Sequence, residues 1–169
     1  GDAKTTEQVR IEHLICACTG LPRQDLPWLF EFKKANAALS LELLGKMQPT
    51  SGFGAVFQYS NIMASGAGYV AGYLYNPRME LGAAYDEAMR KLIFEPLGMK
   101  DTGFYVPKEK VPRLALVHGE AARKPTPPDD SRGDPTVVPL GPSGGGGLFS
   151  TAADYMKFCE MLLGGGQFN

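Results

Sequence analysis

A mainly α-helical fold with long Pro/Gly-rich loops is what this sequence predicts, on three observations. Apolar residues recur at helical spacing in separate stretches along the chain. Only one short stretch, Leu114 to Val117, reads as a candidate strand. Proline and glycine gather between the periodic stretches, and most of the 13 prolines fall in residues 106–147.

Length and composition set the outer bounds. At 169 residues the chain fits one domain, able to bury about two-thirds of its unfolded surface. Its 44% hydrophobic and 21% charged content is that of a globular protein. A net charge of −1 removes the electrostatic case for a nucleic acid or an anionic membrane as partner. No apolar run approaches the roughly 20 residues of a membrane span. Gly1 stands where an initiator methionine would, so a mature or trimmed chain is expected, with its compartment unassigned. An odd count of three cysteines argues against a disulfide framework. Cys16 and Cys18 fall in an apolar stretch and are expected to be buried as small hydrophobes. With only two histidines besides, no metal site and no cofactor is expected.

The elements follow in chain order. Residues 6–18 predict a first helix, with Val9, Ile11, Leu14, Ile15 and Cys18 as its apolar stripe. Gly20 and Pro22 stop it. His13 is expected to be a half-buried helix residue rather than a base. Asp25 is a candidate cap for a short helix with Pro27 in its first turn. Trp28, Leu29, Phe30 and Phe32 either pack on the core or line a cleft near Tyr59. Asn36 or Ser40 caps the next helix, which carries Leu41, Leu43, Leu44 and Met47 and ends before Pro49.

The central helix is expected to run from Ile62 to Leu74. Gly66, Gly68 and Gly72 each cost it about 1 kcal/mol against alanine. Close approach of another helix is the expected compensation. Ile62, Gly66, Tyr69, Val70 and Tyr73 form its ridge, and Asn76-Pro77 breaks it. Residues 82–94 predict another helix, with Ala84, Tyr85, Ala88, Met89, Leu92 and Ile93 apolar, stopped by Pro96 and Gly98. Asp101-Thr102-Gly103 reads as a turn that returns Phe104 and Tyr105 to the core. Leu114 to Val117 is a candidate short strand, and Lys124 to Pro135 an exposed loop. Thr151-x-x-Asp154 has the form of a capping box opening a last helix with Tyr155, Phe158, Cys159, Leu162 and Leu163, stopped by Gly164 to Gly166.

Several short motifs carry nothing. Gly144 to Gly147 is no phosphate loop, because no Gly-Lys-Ser/Thr follows. These glycines are expected instead to let backbone pass tightly beneath a cleft. Arg132-Gly133-Asp134 matches an integrin-recognition tripeptide short enough to arise by chance, and His118 reads as a loop histidine.

Tyr59 and Asn61 stand out. They sit two apart, after the Pro49–Gly54 turn and before the glycine-bearing helix. A phenol passes a proton where its surroundings favour the phenolate, and a carboxamide offers both donor and acceptor. By themselves the two are also consistent with ordinary surface chemistry. Three further segments accompany Phe57-Gln58-Tyr59-Ser60-Asn61. They are Thr19-Gly20-Leu21-Pro22, the run Glu95 to Phe104 containing Pro96-Leu97-Gly98-Met99 and Asp101-Thr102-Gly103-Phe104, and Gly146-Gly147-Leu148-Phe149-Ser150-Thr151 followed by Asp154 and Phe158. In this order the four segments resemble the serine β-lactamase/penicillin-binding-protein family, with its DD-peptidase and esterase-like members. Ala17 departs from the family, which commonly has a histidine there.

That resemblance implies the helical region of the β-lactamase/transpeptidase-like α+β fold. It also implies acyl transfer, in which a Ser-x-x-Lys serine attacks an ester, peptide or β-lactam carbonyl and a Lys-Thr-Gly or His-x-Gly strand binds substrate. Carried over by resemblance, Tyr59 is the general acid/base and Asn61 the substrate-orienting amide. The partner implied is a small-molecule or peptide substrate. Neither Ser-x-x-Lys nor Lys-Thr-Gly nor His-x-Gly occurs in these 169 residues. In the family the first lies before the "SGLP" turn and the second after the "GGLxST" helix. Residues 1–169 are therefore expected to be a single-domain piece of a longer serine hydrolase, without its terminal sheet elements, inactive alone and prone to self-association. The alternative is a non-catalytic helical binding or scaffold module derived from the same family. An unrelated hydrolase using Ser150 or Cys16 has no base nearby in sequence.

Overall fold

The structure, a computed structural model, describes residues 1–24, 36–115, 118–121, 124–128, 134–137 and 143–167. Its frame is a pair of packed helices, here called α4 and α5, that run Asn61–Tyr75 and Leu81–Met89. Before them come α1 (Ala3–Gln8), α2 (Ile11–Ile15) and α3 (Ala37–Lys46). After them come a π-type turn at Arg90–Phe94, a 3₁₀ helix at Lys108–Arg113, a two-stranded ribbon and α6 (Ala152–Leu163).

Caps explain where the helices start. Asn36 Oδ1 accepts from Leu39 N–H at 2.8 Å and opens α3. Ser60 Oγ accepts from Met63 N–H and opens α4. Thr151 Oγ1 accepts from Asp154 N–H and opens α6. Such caps each contribute about 1 kcal/mol. The expected first helix is instead two short ones, because Val9 and Arg10 are extended. The break is stabilised locally: His13 Nδ1 accepts the Arg10 N–H at 3.0 Å. The His13 ring is half-buried, edge-on to Phe53 at 4.9 Å. Ile11 and Ile15 then point outward rather than forming a stripe.

The glycines of α4 permit the close approach their cost suggested. A Cβ on Gly72 would lie 2.6 Å from Tyr85 N and 2.9 Å from Tyr85 Cα, so the α4 and α5 backbones touch there. The buried face of α4 is Ile62, Met63, Ser65, Gly66, Tyr69 and Gly72, with Ala67 and Gly68. Tyr73, placed on the ridge by its spacing, is exposed. Leu92 is exposed as well, since the chain leaves α-helical geometry at Arg90, where the Glu95 N–H bonds the Arg90 carbonyl at 2.9 Å.

Two apolar clusters flank this helix pair. One gathers Ala17, Leu21, Met47, Ile62 and Met63, with Leu14, Leu43 and Leu44 against it. The other gathers Phe94, Leu97 and Met99, with Met89, Ile93, Phe158 and Met161. Asp154 ties the second together. Its carboxylate accepts from Asp101 N–H (2.7 Å), Thr102 Oγ1 (3.1 Å) and Lys157 Nζ (2.9 Å), and Lys157 also donates to the Gly98 carbonyl. Gly103 and Phe149 exchange backbone hydrogen bonds beside it. Phe104 is buried as expected, whereas Tyr105 is exposed.

Three expectations need correcting. Residues from Lys124 onward do not form only a loop: Lys124–Pro128 pairs antiparallel with His118–Ala121. Prolines hide such a strand from sequence patterns, yet a two-stranded ribbon has free edges where a missing N–H costs little. The candidate strand at Leu114 is displaced, since Leu114 and Ala115 are irregular, and residues 116 and 117 lie outside the described residues. Cys16 and Cys18 are neither free nor both buried: they are joined by a disulfide across Ala17, and Cys16 is exposed. The cap at Asp25 and the Trp28–Phe32 cluster also lie outside the described residues.

Three substitutions test this frame in urea unfolding. Gly72→Ala is expected to destabilise by about 1–3 kcal/mol, because overpacking outweighs the helix-propensity gain. Gly45→Ala on α3, with nothing within 4 Å of its added Cβ, is expected to be neutral or stabilising by up to about 1 kcal/mol. Asp154→Ala is expected to cost about 2–4 kcal/mol at neutral pH. Burial alone would raise the Asp154 carboxyl, but the bonds from Lys157, Asp101 and Thr102 outweigh it and hold it below the ordinary aspartate value of 3.8. A depressed carboxyl contributes its stability above that ordinary value and loses it as pH falls through the lowered one. The gap between native chain and Asp154→Ala should therefore narrow on acidification, and a gap that stays constant would count against the network.

Candidate active site

Tyr59 is delivered by a clasp between two irregular segments. The turn at Thr19–Gly20 holds Gly20 at φ +82°, and a Cβ there would lie 2.4 Å from the Ser51 carbonyl oxygen. Backbone N–H groups of Thr50, Gly54 and Gln58 donate to the carbonyls of Gly20, Cys18 and Ala17 at 2.8–2.9 Å. The Gln58 side chain adds a bond to Ser51 Oγ at 2.9 Å. Thr19, fully buried, sets its hydroxyl 3.1 Å from Met63 Sδ, joining the clasp to α4. The chain thus enters α4 with residues 58–61 fixed in direction.

Ser60 then caps the helix, and its neighbours on either side meet. Tyr59 Oη donates to Asn61 Oδ1 at 2.8 Å. With that oxygen engaged, the Asn61 amide keeps its NH₂ as donor, and the Tyr59 oxygen keeps its acceptor lone pairs. Tyr59 is 51% exposed and Asn61 half-buried. The Arg23 guanidinium lies over the Tyr59 ring, 5.2 Å from its centroid. A contact of this kind is worth about 0.5–1 kcal/mol at an exposed site and orients the ring. The first turn of α4 presents its N–H groups and positive dipole end here.

The four-glycine run supports this corner from below. A Cβ on Gly145 would meet Ser65 Oγ at 2.6 Å and the Asn61 carbonyl oxygen at 2.7 Å; one on Gly144 would meet the Ala64 carbonyl oxygen at 2.6 Å. Ser65 Oγ donates to Ser143 Oγ at 3.2 Å, which accepts in turn from Gly145 N–H. Tyr69 lies buried behind them. Burial raises its phenol, and the Ser40 and Ser143 hydroxyls pull it partly back. Sequence reasoning placed the glycines beneath a cleft but missed Ser65, Ser143 and Gln58 as supports. Gln58 fills the variable position of Phe-x-Tyr-Ser-Asn, where no residue type draws notice.

The arrangement sets a phenol, which can donate or accept a hydrogen bond, beside a carboxamide that can do both. Among the described residues no serine hydroxyl is hydrogen-bonded to a lysine or histidine, so no activated nucleophile is found there. His13 Nδ1 is engaged at the start of α2, where it accepts the Arg10 N–H. Ser150 Oγ lies 2.8 Å from Thr102 Oγ1, within the Asp154 network.

Comparison with known proteins places this corner in context. Protein Rv1367c of Mycobacterium tuberculosis (strain H37Rv) is 43% identical over 77 residues, which are 44% of this chain and 18% of that protein. A class C beta lactamase from Rhodobacter sphaeroides superposes with a TM-score of 0.64 at 24% identity, over 98% of this chain and 41% of that one. EstCE1, a hydrolase with promiscuous acyltransferase activity, superposes with a TM-score of 0.72 at 21% identity, over 95% and 47%. The chain thus spans less than half the length of these relatives, and what it shares with the two solved structures is the β-lactamase/transpeptidase fold. No helix among the described residues is long and apolar enough to cross a membrane. The Beta-lactamase family profile matches residues 1–169, and the chain belongs to that family.

Proposed function

We propose that this chain carries the proton-handling half of an acyl-transfer site in a serine hydrolase. Tyr59 is its general acid/base and Asn61 its substrate-orienting amide. The observation that carries this is the 2.8 Å Tyr59–Asn61 hydrogen bond at the capped N-terminus of α4. A serine and its lysine, supplied by sequence outside these residues, complete the site. The serine hydroxyl passes its proton to the lysine–Tyr59 pair as its oxygen bonds to an ester, peptide or lactam carbonyl. Tyr59 returns a proton to the departing oxygen or nitrogen as that bond breaks, leaving an acyl-enzyme that water hydrolyses. The Asn61 NH₂ holds the substrate's polar groups in register. The substrate is a small molecule or peptide, and residues 1–169 alone are inactive.

The outer surface of α6 supports a partial assembly. Tyr155, Met156, Leu162 and Leu163 are all more than half exposed, Leu163 at 88%. Apolar surface of this extent favours association, so the isolated chain is expected to self-associate in light scattering as its concentration rises. A sharp monomer peak throughout would contradict that.

The activity test uses the full-length protein. Tyr59→Phe is expected to lower kcat on a p-nitrophenyl ester or a chromogenic lactam by about 10²–10⁴-fold. Asn61→Ala should act mainly on KM, with the fold intact by circular dichroism. A full-length protein that turns over neither substrate, or a Tyr59→Phe variant with native kcat, would leave the scaffold-module alternative in place.

A further inference from the structure

A cavity of about 400 Å³ opens between α5, the turn that follows it and the 3₁₀ helix, and none of its walls belongs to the Tyr59–Asn61 corner. Its volume falls within the range of about 300–1,000 Å³ seen for small-molecule sites. Phe94 and Phe104 give it a buried aromatic floor.

Two charged poles stand on its walls. At the first, Asp86 faces the cavity half-buried and forms no hydrogen bond or ion pair among the described residues. Arg90, at the start of the π-type turn after α5, is committed elsewhere, to Glu95 at 2.5 Å and Glu87 at 3.9 Å. Burial pushes the Asp86 carboxyl above its ordinary value, and Arg90 pulls it only partly back. That is the behaviour of a carboxylate short of a partner. At the second pole, Lys110 and Arg113 both converge on Asp101, each at 2.8 Å. Two cations on one carboxylate leave a net positive charge although both are already paired, Lys110 also donates to the Lys100 carbonyl, and Lys100 lines the same wall. The neighbours that act on Asp86 are Arg90 and Glu87, whereas those acting on Asp101 are Arg113 and Lys110.

We propose that this cavity binds a short zwitterionic peptide or amino acid. Its ammonium pairs with Asp86, its carboxylate with the Lys110–Arg113 pole, and its apolar side chain covers the Phe94–Phe104 floor. A purely anionic ligand would leave Asp86 enclosed without a partner, at a desolvation cost. A purely cationic one would meet Lys100, Lys110 and Arg113. Only a ligand with both charges at its ends satisfies both walls. The site is independent of the acyl-transfer function proposed for Tyr59.

The test uses the full-length protein, ¹⁵N-labelled, with three probes: the dipeptide Ala-Phe, its N-acetyl form and its C-terminal amide. Ala-Phe is expected to shift the amide resonances of Asp86, Thr102 and Arg113, and each blocked form to bind about tenfold more weakly or worse. Asp86→Asn should abolish the preference for a free ammonium while keeping that for a free carboxylate; Arg113→Gln should do the reverse. Blocked peptides that bind as well as Ala-Phe, shifts centred on Tyr59, or no shift at millimolar peptide would each overturn the proposal. Should either variant fail to fold, the comparison of blocked and free peptides on the native chain still decides it.

Discussion

The contact of α4 with α5 at Gly72 is the constraint on which the rest of the structure depends. Backbone meets backbone there, with a Cβ-sized gap already closed. No rotamer change can adjust such a contact, because no side chain stands between the helices. The axis of α4 is therefore fixed relative to α5. At the other end of α4, Gly144 and Gly145 press on the carbonyls of Ala64 and Asn61 in the same way. A helix gripped by backbone near both ends has little freedom to roll or slide. Three helical glycines are a poor choice for an isolated helix and a good one for a helix that must hold its first turn still.

Rigidity at that first turn matters because Tyr59 precedes the helix rather than lying in it. Ser60 caps α4 with its own side chain, and Tyr59 is placed by what comes before. The clasp between residues 17–20 and 50–58 supplies that placement through backbone bonds and through the Gln58 carboxamide. The two apolar clusters divide the labour. The Met63 cluster lies under the clasp and steadies the Tyr59 corner. The Phe94 cluster, tied by Asp154, closes the opposite region and holds α6 in place.

Much of this was legible in the sequence, and the parts that were not have physical causes. The caps at Asn36 and Thr151, the glycine contact of α4 and the Tyr59–Asn61 pairing all rest on local chemistry, which sequence displays. The break at Val9–Arg10 also has a local cause, but it depends on which way the His13 ring turns, and periodicity is silent on that. The ribbon at Lys124–Pro128 contradicts propensity, and only its free edges make the prolines acceptable. The exposure of Tyr73, Leu92, Leu162 and Leu163 shows a different limit. Spacing tells which residues share a face, not whether anything covers that face. Ser65 and Ser143 were invisible for a third reason, because they meet across a separation that no local pattern spans.

That last limit bears on the chemistry of the site. The bond between Tyr59 and Asn61 is well formed, yet Tyr59 stands half in water. Water screens the charge that develops during proton transfer, and it weakens the contribution of a helix N-terminus most where that terminus is open. Preorganised groups act strongly only once solvent is excluded around the reacting atoms. The clasp, the glycine run and α4 supply position without enclosure. On the role proposed for Tyr59 and Asn61, efficient proton transfer would require solvent to be excluded around the pair, because only a lowered local dielectric lets the positioned groups act at full strength.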